Sequence, residues 1–315
     1  MSAATDAFGL SADVAVLLRW FAVADALPAR EPALVERYGA FGPAADVPGF
    51  VRALAEAQLS SHYFGGPAAL TALLATVPDA LNGTTPPGSL YSALVWVASE
   101  AGNAAGAIAS ALADLPQLAQ LPGGAEHVRG ALRGKGGLAP DAGRAAAALD
   151  DARLRVTAAL DPLAAVARVL AGATILSEAN RQIGALTTEI ELLELRSSPA
   201  AAELETARRE LARKRAFAND TRGLFSQAPG LERALGQIER RLHRLQTRFA
   251  DQQERFEQTA ALADGAQLAD PAWLTAALDI PQAVPAWRQV AADATAFAQG
   301  AFVEPASAGD EGRPA

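Results

Sequence analysis

The sequence predicts an all-α protein: an elongated bundle of long antiparallel coiled-coil helices with an Ala/Gly-rich N-terminal helical half. Three observations carry that prediction. Alanine, the strongest helix former, supplies much of the 50% apolar content, while aromatic residues reach only 6%. β-branched residues are sparse, and no segment alternates with period two. Leu231, Leu235, Ile238, Leu242, Leu245, Phe249 and Phe256 recur at steps of four and three, with Gln252 the one polar entry and mostly charged residues between. That spacing holds one apolar stripe toward a partner helix.

Each element follows from local signals. Ser11 or Asp13 can cap a first helix that runs to about Leu27 and is closed by Pro28. Short helices are expected over Glu31–Tyr38, Gly49–Leu59 and Pro67–Val77, separated by Phe41-Gly42-Pro43 and Gly65-Gly66-Pro67. Residues 82–87 read as a loop. From Gly88 to Ala113 the only charge is Glu100, and the run is long enough for a bilayer core. Its apolar positions are Leu90, Leu94, Val95, Trp96, Val97, Ile108 and Leu112, and Gly102 and Gly106 stand four apart, a spacing that lets two helices approach closely. Two readings stay open for it: a membrane segment, or the buried core helix of a soluble bundle.

The Gly-rich stretch 123–143 is expected to be a flexible connector. Beyond it Leu149, Val156, Leu163 and Leu170, then Leu176, Ile183 and Ile190, predict a helix over Arg144–Arg196, with a kink at Asp161-Pro162. Ser198 and Pro199 restart a helix that runs to about Phe225, and Pro229-Gly230 breaks or bends it before the seven-residue series. The expected organisation is therefore an N-terminal region 1–122, a connector 123–143, a stalk 144–265, short helices in 266–303 and a disordered tail 304–315.

Composition narrows the function classes. A net charge of −8 and a pI near 5.0 argue against a nucleic-acid partner, which needs a basic footprint. Cysteine is absent, which removes disulfides, thiolate metal sites and cysteine nucleophiles. Lys135 and Lys214 are the only lysines; this Arg bias, with abundant Ala and Gly, is that of a GC-rich bacterial genome. The first residues lack a basic n-region, and Val14–Leu27 contains Arg19 and Asp25. Cytoplasmic synthesis without a signal peptide is expected, with any release by a non-classical route.

No motif for bond-making chemistry stands out, so no catalytic residue, cofactor or metal is expected. His62, His127 and His243 lack partners at ligand spacing. Ser60 and Ser61 beside His62 give adjacency without triad geometry. Gly130 through Gly137 imitates a phosphate loop, but its first glycine is one residue too close and Gly136 replaces the magnesium-binding hydroxyl. Glu189, Glu191 and Glu194 are expected to pair with basic residues across helices, and Arg208–Arg215 to line a solvated face.

A long helical stalk joined to an almost uncharged Ala/Gly-rich segment resembles the α-helical pore-forming toxins of the cytolysin A, haemolysin BL and xenorhabdolysin type. The resemblance covers roughly Gly88–Gly265 and is architectural. It implies a soluble form that buries Leu90–Leu112, followed by oligomerisation, alone or with a second protein component, and insertion into a lipid membrane. The alternative is a coiled-coil scaffold that self-assembles or docks a partner helix. A helical enzyme whose site spacing does not reveal is the third reading.

Overall fold

The computed structural model describes residues 8–81, 88–196 and 201–302. Every regular element among them is a helix, and the protein is an all-α bundle. The loop 82–87, the restart at Ser197–Pro199 and the tail 304–315 lie outside the described residues.

Packing does not follow the expected chain order. Of the described residues, one compact unit takes 8–14, 64–81, 88–158 and 236–302; the other takes 15–63, 159–196 and 201–235. Helices α1 (Ser11–Asp25), α7 (Leu138–Ala171) and α9 (Ala201–Leu262) contribute residues to both. The N-terminal and C-terminal halves are thus interleaved.

In the first unit the central element is α5 (Leu90–Ala119). Ser89 caps it, its extended backbone turning the hydroxyl to accept from the Ser92 N–H at 3.1 Å. Residues Tyr91 through Ala98 are all buried, which a surface helix with one apolar stripe would not show. α12 (Ile280–Gly300) packs along α5, and α6 (Gly124–Arg133) and α11 (Pro271–Ala277) touch it as well. Gly102 permits the close approach of α12, since a Cβ there would stand 3.3 Å from the Ala294 Cβ. Gly106 faces open space, so only half of the glycine pair works as a helix contact. α12 starts from Asp279, the one non-glycine residue with positive φ (49°) among those described. It is a helix of 21 residues.

The expected connector 123–143 is folded. It holds α6 and the first turns of α7, and its glycines mark turns: Gly123 (φ 73°) and Gly136 (φ 78°) adopt left-handed backbone on either side of α6. Val128 and Leu132, one turn apart, are buried and anchor α6. A composition that read as flexible is therefore punctuation around a packed helix.

α9 runs unbroken for 62 residues, about 93 Å at 1.5 Å per residue, straight through Pro229. Of the break or bend expected there, the break is absent because the buried stripe continues on both sides of the proline: Phe217, Thr221, Leu224, Ala228, Leu231 and Leu235 keep steps of three and four. Packing on that stripe outweighs the one hydrogen bond a proline removes. The reverse holds upstream. The helix expected over Arg144–Arg196 is split at residues 172–174 into α7 and α8 (Ile175–Glu194), while Pro162 sits inside α7.

The second unit gathers α2 (Glu31–Tyr38), most of α3 (Val47–Phe64), α8 and parts of α1, α7 and α9. The indole N–H of Trp20 on α1 donates to the Leu224 carbonyl of α9 at 3.1 Å. Arg208 pairs with Glu194 at 2.6 Å and Arg196 with Glu203 at 3.4 Å. Pairs that close in toward the turn identify α8 and the start of α9 as an antiparallel hairpin.

Candidate functional site

The residues singled out in the sequence fall into two groups. Leu94, Val95 and Val97 are fully buried, Trp96 nearly so, and Ile108 and Leu112 lie inward, while Leu90 is half-buried at the start of the helix. The seam Leu231, Leu235, Ile238, Leu242, Leu245, Phe249 and Phe256 is buried throughout. Its later part faces α12, where the Phe249 and Trp287 rings stand 4.7 Å apart under the Arg248 guanidinium.

Polar chemistry is concentrated elsewhere, in the second unit, around the segment 39–46 that links α2 to α3. Lys214 on α9 is only 2% exposed. Its ammonium donates to the carbonyls of Tyr38 and Ala40, both at 2.8 Å, and lies 4.1 Å from the centroid of the Phe41 ring. Those carbonyls are among the groups left open where α2 ends, so the lysine closes that helix from another element. Burial pushes the Lys214 amine below its ordinary range, and the Glu210 carboxylate opposes the shift.

The same linker grips α8. The Asp46 N–H donates to the Thr174 hydroxyl at 3.1 Å. Gly42 leaves room for Glu178, since a side chain there would run into its carboxylate. Glu178 is buried and held by Arg181 through two hydrogen bonds, at 2.6 and 2.8 Å. These bonds hold its carboxyl below the usual range despite burial. On the α2 side, Arg37 at 2.8 Å and the Tyr38 hydroxyl at 2.7 Å converge on one oxygen of Asp220. Phe217 fills the middle, with the rings of Tyr38, Phe41 and Phe50 at 5.3, 4.9 and 6.0 Å.

Chemically this cluster is a clasp. Charged groups are committed to backbone carbonyls, to one another or to a ring face, which fixes the linker between α8 and α9. Sequence reading placed Lys214 on a solvated face with its arginine neighbours. A usable signal was present: stepping back from Leu231 by threes and fours reaches Leu224, Thr221, Phe217, Lys214 and Leu211, so Lys214 belongs to the buried stripe.

A second feature lies in the first unit. An open cleft of about 190 Å³ is lined by Glu100, Asn103, Ala104 and Ala107 of α5 and by Asp141, Arg144 and Ala145 of α7. Asp141 and Arg144 are paired at 2.6 Å, and the polar interruptions of the α5 run face this cleft. The three histidines are exposed, and the hydroxyls beside His62 donate to the Glu56 carbonyl and to Asp25. Among the described residues no group of three or more His, Cys, Asp or Glu could hold a metal ion.

The span Gly124–Glu194 contains an 18-residue stretch long and apolar enough to cross a membrane, and 33% of that stretch is buried. The run between Arg155 and Glu178 supplies it, because its only charged residues are Asp161 and Arg168. α5 does not reach that apolarity: Glu100, Asn103 and its serines and glycines dilute it.

Compared with known proteins, the chain matches no family model, no curated protein and no solved structure.

Proposed function

We propose that this chain is a non-enzymatic helical protein that acts at membranes, as a component of a pore-forming assembly that oligomerises and inserts an apolar helical segment. The observation that carries the reading is the stretch within Gly124–Glu194 that has membrane-spanning length and apolarity: Leu163, Val166, Leu170 and Ile175 turn inward, while Val169 is left 53% exposed. α5, which is less apolar, is covered along its length by neighbouring helices. Apolar surface left in water gains free energy on transfer to lipid or to a neighbouring subunit. Asp161 and Arg168 are seven residues apart, so on a continuous helix they share one face and leave the rest to lipid.

Dye-loaded vesicles of zwitterionic and of mixed anionic lipid test this. The purified chain is expected to float with vesicles and to release dye in a concentration-dependent way. Neither binding nor release from either composition would overturn the reading.

The α8–α9 hairpin favours a second reading, a self-assembling scaffold. Ile183, Leu186 and Ile190 are only half-covered, and Leu192 and Leu195 are exposed. Sedimentation without lipid separates the two readings. A stable oligomer supports the scaffold, and a monomer that assembles only on vesicles supports the membrane role.

A further inference from the structure

We infer that Ala159–Ser177 is the segment that enters the bilayer, and that the linker 39–46 is the latch that keeps it bent until then. The inference rests on the membrane reading above and names its moving part. The candidates in α5 and the α5–α7 cleft carry less: the first is sealed under α12, and the second is walled by alanine and an ion pair already made.

The break between α7 and α8 is short, covering residues 172–174. Gly172 still donates to the Arg168 carbonyl at 3.0 Å in the helical i→i−4 pattern, and Ala173 to Leu170 at 3.1 Å. Thr174 has φ −73° and ψ −11°, inside or beside the helical region, and its carbonyl already accepts from Glu178 at 3.0 Å. No residue of the break has positive φ. Ala173 is the one position of the break without turn or bend, so rewinding the backbone there would join α7 and α8 and give partners to the N–H groups that open α8. The joined segment of roughly 20 residues would span about 30 Å, the thickness of a bilayer core.

What opposes straightening is the linker. Asp46 holds the Thr174 hydroxyl, and Gly42 seats Glu178 one turn later. Lys214 in turn fastens the linker to α9 through Tyr38 and Ala40. The bend is therefore imposed by a neighbour and not by its own sequence, which explains why the sequence reads as one helix. Polar contacts of this kind exchange readily for those of water or lipid headgroups, whereas a packed apolar core does not.

The absence of cysteine makes the test clean. A double variant, Asp46→Cys with Thr174→Cys, places two thiols beside the N–H to hydroxyl bond, and loss of free thiol on oxidation confirms that the bridge forms before leakage is compared. Oxidised, it is expected to lose at least ten-fold in vesicle leakage; reduced with dithiothreitol, it should recover the unmodified protein's rate. Equal leakage in both redox states, with the unmodified protein active, overturns the latch and leaves the membrane reading standing. No leakage from the unmodified protein overturns the membrane reading itself.

Leu176→Pro provides an independent arm. Proline is tolerated in the first turn of the bent α8, as it is in α2, α4 (Pro67–Thr76), α11 and α12, but it would kink a continuous helix. Unchanged thermal melting with at least ten-fold less leakage is expected. Leakage equal to that of the unmodified protein would overturn the straightening.

Discussion

Two charge-poor helical stretches of this chain meet opposite fates. α5 carries Leu94, Val95 and Val97 at zero exposure and is surrounded by helices of its own unit, α12 above all. Ala159–Ser177 is the more apolar run, yet its Val169 is 53% exposed and its bend is held by polar contacts from a linker. Apolarity alone did not decide which stretch is covered. α5 has a glycine where α12 crosses and a capped start. The other stretch has a break at residues 172–174 and two charged residues a heptad apart. One is held by packing along α12, while the other meets the linker 39–46 through the Thr174 hydroxyl.

The sharpest way to break the comparison is truncation of a buried side chain in each. Leu94→Ala should lower unfolding stability by about 3 kcal/mol, with chemical denaturation as the readout. A loss under about 1 kcal/mol would mean that α5 is not the sealed element described. Next in size is overpacking at the α5–α12 crossing. Gly102→Val should cost about 2 kcal/mol, because the added carbons meet Ala294.

The clasp should show itself through pH. The Lys214 amine is lowered in the folded state, so below 10.5 the unfolded chain binds more protons at this site than the folded one. The desolvation penalty on the charged amine is present at neutral pH and relieved as pH climbs through the lowered value toward 10.5. Neutral lysine keeps two N–H donors for Tyr38 and Ala40. Stability of the unmodified chain measured against Lys214→Met should thus improve with alkaline pH, and a decline would contradict the assignment.

Smaller effects sharpen the contrast further. Gly106→Ala should stabilise α5 by up to about 1 kcal/mol, since its added methyl meets open space and alanine favours helix. Val169→Ala should stay within about 0.5 kcal/mol of the unmodified protein, as befits an exposed position.

Much of the fold was legible. The helix class, the limits of α1 and α2, the continuous apolar character of α5 and the seam of α9 all follow from propensity and period. The features that sequence does not display share a cause: local punctuation is overridden or supplied by its tertiary setting. Pro229 looked like a break, but the stripe from Phe217 to Leu235 holds the helix through it. The junction at 172–174 looked continuous, because the groups that bend it, Asp46 and Gly42, lie far away in sequence. Glycines at 123 and 136 looked like slack and are turns. The clasp was the least legible feature. Its key residue, Lys214, sits among arginines that do face solvent, and only the extended count of threes and fours separates it from them.

The interleaving of the two units bears on how the chain is made. Trp20 waits for the carbonyl of Leu224, 204 residues later, and Tyr91 for that of Ala301, 210 residues later. Neither unit is complete until the second half of α9 or α12 has been synthesised. Local contacts such as those of Gln58 with the Ala24 and Leu27 carbonyls are available early, whereas contacts of such sequence separation form slowly. Until α12 exists, the face of α5 that it covers, Gly102 included, has no lasting cover.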